Sequence, residues 1–144
     1  MFLSFIISAA LLIARAHPSP TPTATPTLAP ENPSITALAR REFVAWQAGA
    51  VDKDHYVAAA AAQLTPDVTD KMSKVLVEYG ALERIDWFGN FPIVGAPPGV
   101  TGYNYRMNCS NGSIYEQLMI DPDGKIDSIN FRKTLEDKTP TPPG

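Results

Sequence analysis

Two side chains in this sequence could carry acid–base chemistry, Glu116 and His55. Glu116 falls on the apolar face of a predicted β-strand, where burial would shift the pKa of its carboxyl group unless an arginine pairs with it at the rim of the sheet. His55 has Asp52 and Asp54 beside it, but carboxylates near the start of a helix commonly cap the helix or interact with its dipole. The sequence therefore offers a general acid or base at two positions, and it favours a structural role for both.

The other reactive residue types are too few for familiar catalytic or metal sites. Cys109 is the only cysteine, so no disulfide can form within the chain, and we interpret it as a small buried side chain. The second histidine, His17, lies in a proline-rich segment. No Ser-His-Asp arrangement, glycine-rich phosphate loop or spacing of metal ligands is visible in the sequence. We therefore predict no metal and no cofactor.

Aromatic residues indicate where a small ligand could bind. Several of them fall on the apolar faces of predicted helices and strands, a placement that is also typical of an ordinary core. If these faces enclose a pocket, its occupant is expected to be a small apolar molecule. The predicted pocket residues are Trp46, Tyr56, Trp87, Tyr103, Tyr105 and Glu116.

Two turn sequences in the last third of the chain place many of these residues on a β-sheet. Asn111-Gly112 is typical of a tight type I′ hairpin turn, and residues 121–124, Asp-Pro-Asp-Gly, suit a type I turn that ends in a left-handed glycine. A two-residue turn at Asn111-Gly112 pairs Tyr105 with Leu118. The turns predict an antiparallel meander of strands over residues 81–91, 101–110, 113–120 and 125–132. Side-chain alternation then gives a core face of Tyr103, Tyr105, Met107, Cys109, Ile114, Glu116, Leu118 and Ile120.

The register of the last strand is open in the sequence. A four-residue loop before it would bury Ile129 and Phe131, whereas a three-residue loop with a bulge would bury Ile126. We expect the first arrangement, because it buries more apolar surface.

The outer face of the sheet also carries large apolar side chains. On the first strand, alternation places Trp87 and Phe91 toward the core and Phe88 outward. Phe88, Tyr115 and Met119 therefore share the outer face, where an apolar patch on a soluble protein commonly forms an interface. We predict that the chain self-associates as a dimer through these three residues.

Three amphipathic helices are predicted before the sheet. Ser34 caps the first helix, whose apolar residues recur every three or four positions until Gly49 ends it. Asp52 caps a second, shorter helix that continues into the alanines of residues 58–62. Thr65 caps the third helix, which has proline at its first helical position.

The ends of the chain differ in composition from its centre. Residues 1–16 are mostly apolar and finish in Ala-Arg-Ala, which predicts a cleaved signal peptide and hence a secreted or periplasmic protein with no stable membrane insertion after cleavage. Because no Lys or Arg precedes the apolar run, an uncleaved N-terminal anchor stays open as the alternative. Proline and threonine dominate residues 17–33, a predicted extended spacer, and residues 136–144 are a predicted disordered tail. The folded domain is therefore expected in residues 34–135.

The charge of the chain argues against one class of partner. The sequence has 12 basic and 15 acidic residues and a net charge of −3, with the two signs interspersed. Nucleic-acid binding depends on a basic patch or stripe, which is missing here. We therefore predict no nucleic-acid partner.

Helices followed by a strongly curved four-stranded antiparallel meander make an α+β fold, which we expect to be cone-shaped. The motif Gly102-x-x-Tyr105, the two turn sequences and the apolar pair Ile129 and Phe131 lie within a region of about one hundred residues. In these features the sequence resembles the nuclear-transport-factor-2-like superfamily of cystatin-like cones. It is most similar to the small domain appended to secreted β-lactamase-like serine hydrolases. The resemblance implies a bent sheet around a long helix, with a pocket at the open end.

The resemblance leaves three hypotheses for function. Members of the superfamily are either pocket enzymes, such as ketosteroid isomerase and scytalone dehydratase, or modules that bind ligands or dimerise without catalysis. Because no acid–base pair stands out, we expect an exported, non-catalytic ligand-binding or dimerising module. A small isomerase- or dehydratase-type enzyme that acts on an apolar substrate through Glu116 or His55 is the second hypothesis. An accessory domain that acts beside a secreted serine hydrolase is the third.

Overall fold

The computed structural model of the chain describes residues 29–91, 93 and 95–135. The predicted signal peptide, residues 17–28 of the predicted spacer and the predicted tail lie outside the described residues. In chain order the elements are α1 (Pro33–Ala48), a 3-10 turn (Lys53–His55), α2 (Ala58–Ala61), α3 (Pro66–Val77), β1 (Leu82–Phe91), β2 (Thr101–Cys109), β3 (Gly112–Ile120) and β4 (Ile126–Arg132). The strands form one antiparallel sheet in the order β1-β2-β3-β4. The predicted α+β class, with three helices and a four-stranded meander, is confirmed.

Helix α1 begins two residues earlier than its predicted cap allows. Its N-cap is Asn32, whose side-chain oxygen accepts hydrogen bonds from the backbone N–H groups of Ser34 at 3.0 Å and Ile35 at 3.4 Å. The prediction of Ser34 as the cap is wrong, because Pro33 already has the φ of a first helical residue and needs no hydrogen-bond partner for its nitrogen. Gly49 ends the helix in the left-handed conformation with φ 67°, as predicted.

The predicted second helix is divided into two short pieces. Asp52 caps only the 3-10 turn, and after it Tyr56 turns extended and pairs with Ile126 of β4. The N–H of Val57 donates to the carbonyl of Ile126 at 3.0 Å, and helix α2 starts at the next residue. The local helical pattern is therefore overridden by pairing with the sheet, and this pairing fixes where Tyr56 lies.

Helix α3 follows its predicted N-terminal sequence and is tied to the end of α1. Thr65 caps it, with its hydroxyl 3.4 Å from the N–H of Val68. Gln47 of α1 donates to the carbonyl oxygens of Leu76 and Gly80, while the Ser73 hydroxyl donates to the carbonyl of Gln47 at 2.6 Å. These bonds satisfy carbonyl groups that the helix ends would otherwise leave unpaired.

The first hairpin has the predicted faces but a different register. Its loop consists of Ser110 and Asn111, so Tyr105 lies opposite Glu116 and not opposite Leu118. The predicted pairing is wrong by two residues, a shift that leaves every side chain on its predicted face. Two backbone hydrogen bonds fix the position of the loop. The N–H of Asn111 donates to the carbonyl of Tyr79, and the N–H of Ser110 donates to the carbonyl of Ala81. Of the predicted turn pair, only Gly112 has positive φ, 139°.

Strand β4 combines the two registers that the sequence left open. Gly124 closes the predicted turn with φ 79°. Ile126 lies opposite Ile120 and is fully buried, and a bulge at Asp127 then brings Ile129 opposite Leu118 and Phe131 opposite Glu116. Ile129 and Phe131 pack against the core as predicted, but the expectation that this would exclude Ile126 is wrong, because the bulge adds one residue to the strand.

A second irregularity turns Phe91 away from the core. Between Trp87 and Asn90 the pairing of β1 with β2 slips, and Gly89 there has φ 84°. Phe91 consequently lies opposite Gly102, and a Cβ atom at Gly102 would come within 2.7 Å of its ring. Phe91 therefore covers Gly102 on the outer face, and its predicted place beside Trp87 is wrong.

Candidate functional site

A buried carboxyl group, that of Glu42, organises a polar cluster beneath the surface. Glu42 has no exposed area, and each of its oxygens has a partner. Oε1 lies 2.6 Å from Nδ1 of His55, and Oε2 accepts the hydroxyl hydrogen of Tyr56 at 2.9 Å. The Tyr56 oxygen in turn accepts the indole N–H of Trp46 at 2.8 Å. We call Glu42, His55, Tyr56 and Trp46 the Glu42 network.

The local folding of two segments brings this network together. Glu42 and Trp46 lie one turn apart on α1, so their side chains project from the same face of the helix. His55 and Tyr56 come from the 3-10 turn and from the extended residue that pairs with β4. His55 is 27 % exposed, and its second ring nitrogen lies 3.6 Å from a carboxylate oxygen of Asp52. The imidazole is thus held between a buried and an exposed carboxylate.

Glu116 is buried without compensation. It has no exposed area, and neither of its oxygens has a hydrogen-bond partner among the described residues. Burial, followed by the nearby carboxylate of Glu42, raises the pKa of Glu116 well above its usual range. The alternative of a rim ion pair does not form, because Arg106 donates to the Ser113 hydroxyl and lies, like Arg132, opposite Tyr115 on the other face. Burial at this position therefore favours the protonated, uncharged form of the Glu116 carboxyl group.

A cavity of about 580 Å³ lies beside the Glu42 network, between α2, α3 and β4. Trp46 and Tyr56 belong both to the network and to the cavity wall. Four polar residues line the same space, Gln63 and the β4 residues Asp127, Ser128 and Asn130. The larger apolar wall residues are Trp46, Tyr56, Leu64, Met72, Ile129 and Phe131.

The six residues predicted to line a pocket fall into three pairs. Trp46 and Tyr56 line this cavity, whereas Glu116 and Tyr105 are buried in the core and are not among its lining residues. Trp87 and Tyr103 are half-buried, with the Trp87 ring 6.0 Å from that of Tyr103 and 5.2 Å from that of Tyr105. The two candidates for acid–base chemistry, Glu116 and His55, are also outside the cavity wall. His55 contacts Glu42, and the charge of Glu42 influences the Glu116 carboxyl group.

The three residues predicted to form an interface lie together on the outer sheet face. Phe88 is 39 % exposed and meets Tyr115 edge-to-face, with ring centroids 5.5 Å apart. Met119 lies opposite Gly102, on which Phe91 packs from the other side. Self-association through this face stays a prediction, which sedimentation of the wild type and of Tyr115→Glu at high concentration would test.

Other kinds of site find no support in the part of the chain that the structure describes. No group of three or more His, Cys, Asp and Glu side chains is arranged there to hold a metal ion. Cys109 is buried, and burial raises the pKa of its thiol. No helix within residues 29–135, as far as they are described, is long and apolar enough to cross a membrane.

Sequence reasoning missed Glu42, although the sequence contained an indication of it. Glu42 interrupts the apolar stripe of α1, one turn after Leu38 and one turn before Trp46. A charged residue in such a stripe needs a buried partner. The partners could not be named from the sequence, because they depend on the fold of residues 52–57.

Comparison of the chain with protein-family models, curated proteins and solved structures finds no match.

Proposed function

We propose that this chain is a binding module that takes a small, largely apolar molecule into the cavity between α2, α3 and β4. The observation that carries the proposal is the cavity itself, whose volume of about 580 Å³ is lined by aromatic and aliphatic side chains together with a few polar groups. Ligand sites in proteins typically combine such a volume with a mostly apolar wall and a small number of polar groups that orient the ligand.

The position of the titratable groups favours binding over catalysis. A catalytic acid or base must come within hydrogen-bond reach of the reacting atoms. Neither His55 nor Glu116 lines the cavity, and Phe131, which does, lies directly opposite Glu116 in the sheet. A ligand in the cavity would therefore meet the aromatic wall and not these carboxyl and imidazole groups.

Displacement of solvent from the cavity by a neutral fluorescent probe tests the proposal. We expect N-phenyl-1-naphthylamine to gain fluorescence with the wild type. Ala60→Phe should reduce the gain, because Ala60 lines the cavity and the larger side chain occupies part of it. The matched control is Ala62→Phe, next to the same helix but outside the lining, which should bind the probe as the wild type does. Equal binding by both variants, or none by the wild type, would contradict the proposal.

A second candidate, a pocket enzyme of the isomerase or dehydratase type, is favoured by one observation. Tyr56 lines the cavity and donates a hydrogen bond to Glu42, and Glu42 contacts the partly exposed imidazole of His55. This chain of contacts connects the cavity wall to solvent. Deuterium exchange into enolisable apolar ketones, followed by NMR, would detect such proton transfer. Its loss in His55→Asn would favour the enzyme over the binding module.

The finer shape and the location of the chain belong to the same proposal. A cone-shaped sheet is supported by the irregularities in β1 and β4, since bulges bend strands and increase their twist. The likeness to nuclear-transport-factor-2-like domains, including those that accompany secreted serine hydrolases, rests on the turn and core residues of the sequence. Export rests on residues 1–16, and a mature N-terminus at His17, found by mass spectrometry, would support it.

A further inference from the structure

We propose that the ligand of this cavity is an organic cation, in which an alkylated ammonium group is attached to an apolar body. The inference rests on the proposed binding function and assigns a chemical class to the ligand. Three features of the cavity wall carry it: the aromatic side chains, the direction of their hydrogen bonds and the charge of the lining.

Three aromatic side chains form one part of the wall, where Trp46 contacts both Phe131 and Tyr56. The rings of Trp46 and Phe131 have centroids 5.9 Å apart and planes inclined by 70°, so they form two walls close to a right angle. The indole nitrogen of Trp46 lies 2.8 Å from the hydroxyl of Tyr56, which adds the third ring. Aromatic faces attract cations, tryptophan most strongly, and cages of such rings recognise quaternary ammonium groups.

The hydrogen bonds of these rings run in one direction, toward a carboxylate. Trp46 donates to Tyr56, and Tyr56 donates to Oε2 of Glu42. Hydrogen bonds in such a chain polarise one another, so both rings gain electron density from the carboxylate at its end. Burial, and then the charge of Glu42, raise the pKa of the Tyr56 phenol, which therefore stays a neutral donor. A ring that gains electron density binds a cation more strongly.

The charge of the cavity lining has the sign that a cation requires. Asp127 is one of the lining residues, and no Lys, Arg or His occurs among the described residues of the wall. Asp127 is the extra residue of the β4 bulge, which displaces it from the regular alternation of the strand. A carboxylate beside an apolar wall attracts a cation more strongly than one that is fully surrounded by water. Glu116 is not one of the lining residues.

Two probes of nearly equal shape, one charged and one neutral, distinguish the effect of charge on affinity from the effect of apolar contact. Phenyltrimethylammonium and tert-butylbenzene differ in the central atom of the head group and thus in charge. Their affinities for the full chain can be measured by displacement of N-phenyl-1-naphthylamine. We expect the cation to bind roughly tenfold more tightly than the neutral probe.

Asp127→Asn tests the source of the preference, with Asp123→Asn as its control. Asp123 lies in the exposed turn before β4, outside the lining, so its replacement removes the same charge without changing the cavity. Asp127→Asn should weaken binding of phenyltrimethylammonium roughly five- to tenfold and leave that of tert-butylbenzene unchanged. Asp123→Asn should change neither affinity.

The possible failures of the experiment are distinguishable. If tert-butylbenzene binds as tightly as the cation, the charge inference is overturned and the binding function stands. If N-phenyl-1-naphthylamine binds but phenyltrimethylammonium does not displace it, the same conclusion follows. If no probe binds the wild type, the proposed function itself fails. Equal effects of Asp127→Asn and Asp123→Asn would overturn the role of Asp127.

Discussion

A carboxyl group that lies in a core without hydrogen-bond partners, as Glu116 does, destabilises the folded state less while it keeps its proton than after it loses it. Because the native pKa of Glu116 is raised above the ordinary value of 4.5, the native state holds a proton that the unfolded chain releases. The contribution of Glu116 to stability is therefore fully present below about pH 4.5 and is lost as the pH rises toward the native pKa.

Replacement of Glu116 should make stability less sensitive to pH. At pH 4, Glu116→Gln and the wild type should have similar free energies of unfolding, because below the ordinary pKa of 4.5 the Glu116 side chain is mostly neutral in both the native and the unfolded states. The variant should become relatively more stable by up to about 1.4 kcal/mol per pH unit as the pH rises to 8. Urea denaturation at both values measures this difference. Glu83→Gln, at an exposed position of β1, is the control, and a parallel pH dependence in the wild type and Glu116→Gln would refute the prediction.

Loss of the Tyr56 hydroxyl should destabilise the fold without changing its apolar surface. Tyr56→Phe leaves the indole N–H of Trp46 and Oε2 of Glu42 without their partner. An unsatisfied buried group costs about 1–3 kcal/mol. Chemical denaturation should therefore give a loss of that size for Tyr56→Phe and a smaller one for Tyr103→Phe, whose hydroxyl lies outside the network. Equal losses would mean that the network contributes little to stability.

The sequence located one carboxyl group of this site and not the other. Strand alternation is a local rule, and it placed Glu116 on the core face even though the predicted strand register was wrong. Glu42 depends on contacts with His55 and Tyr56, which reach it only because residues 52–57 fold against α1 and β4. Such contacts between distant segments have no counterpart in local periodicity.

At the level of elements, caps and turns were predictable where local chemistry decides them. Gly49, Thr65 and Gly124 act as their residue types suggest. The Asn111-Gly112 hairpin was found but its loop was placed one residue too late, since backbone bonds to Tyr79 and Ala81 select the loop position. The irregularity in β1 was not predicted, and the bulge in β4 was one of two open alternatives, because both depend on how neighbouring strands are paired.

The hairpin turn gives a direct test of backbone conformation. Gly112 has φ 139°, a region that is nearly closed to other residues, and a Cβ atom there would meet Tyr79 only at an ordinary 3.7 Å. Gly112→Val should therefore lower the free energy of unfolding by about 1–3 kcal/mol through backbone strain alone. Thr101→Val, at an exposed position of β2, should change it by less than about 0.5 kcal/mol. An unchanged melting temperature in Gly112→Val would contradict this conformation.

For the whole molecule, the order of patterns along the chain was sufficient to predict the fold class. Helical periodicity before residue 80 and alternating strands after it gave the α+β class, which the arrangement of elements confirms. The extent of the folded region is a separate question, since the boundary at residue 34 was inferred from composition. Residues 29–32 also make contacts with the rest of the chain, so this boundary can be tested by truncation.

Truncation of the N-terminus should show how much the helix cap and the exposed contacts before it each contribute to the free energy of unfolding. The indole N–H of Trp87 donates to the carbonyl of Ala29 at 2.8 Å, and the Thr36 hydroxyl donates to Glu31 at 2.7 Å. A chain that begins at Glu31 loses only the first bond, which is exposed. We expect its free energy of unfolding to lie within about 1 kcal/mol of that of a chain that begins at His17.

A chain that begins at Pro33 additionally lacks the cap of α1. Asn32 accepts bonds from two N–H groups of the first turn, and removal of such a cap costs about 1 kcal/mol more. Urea denaturation of the three chains should therefore show a small step followed by a larger one. A loss of more than about 2 kcal/mol at the first step would mean that residues 17–30 pack on the domain. The absence of a second step would mean that Asn32 does not stabilise the helix.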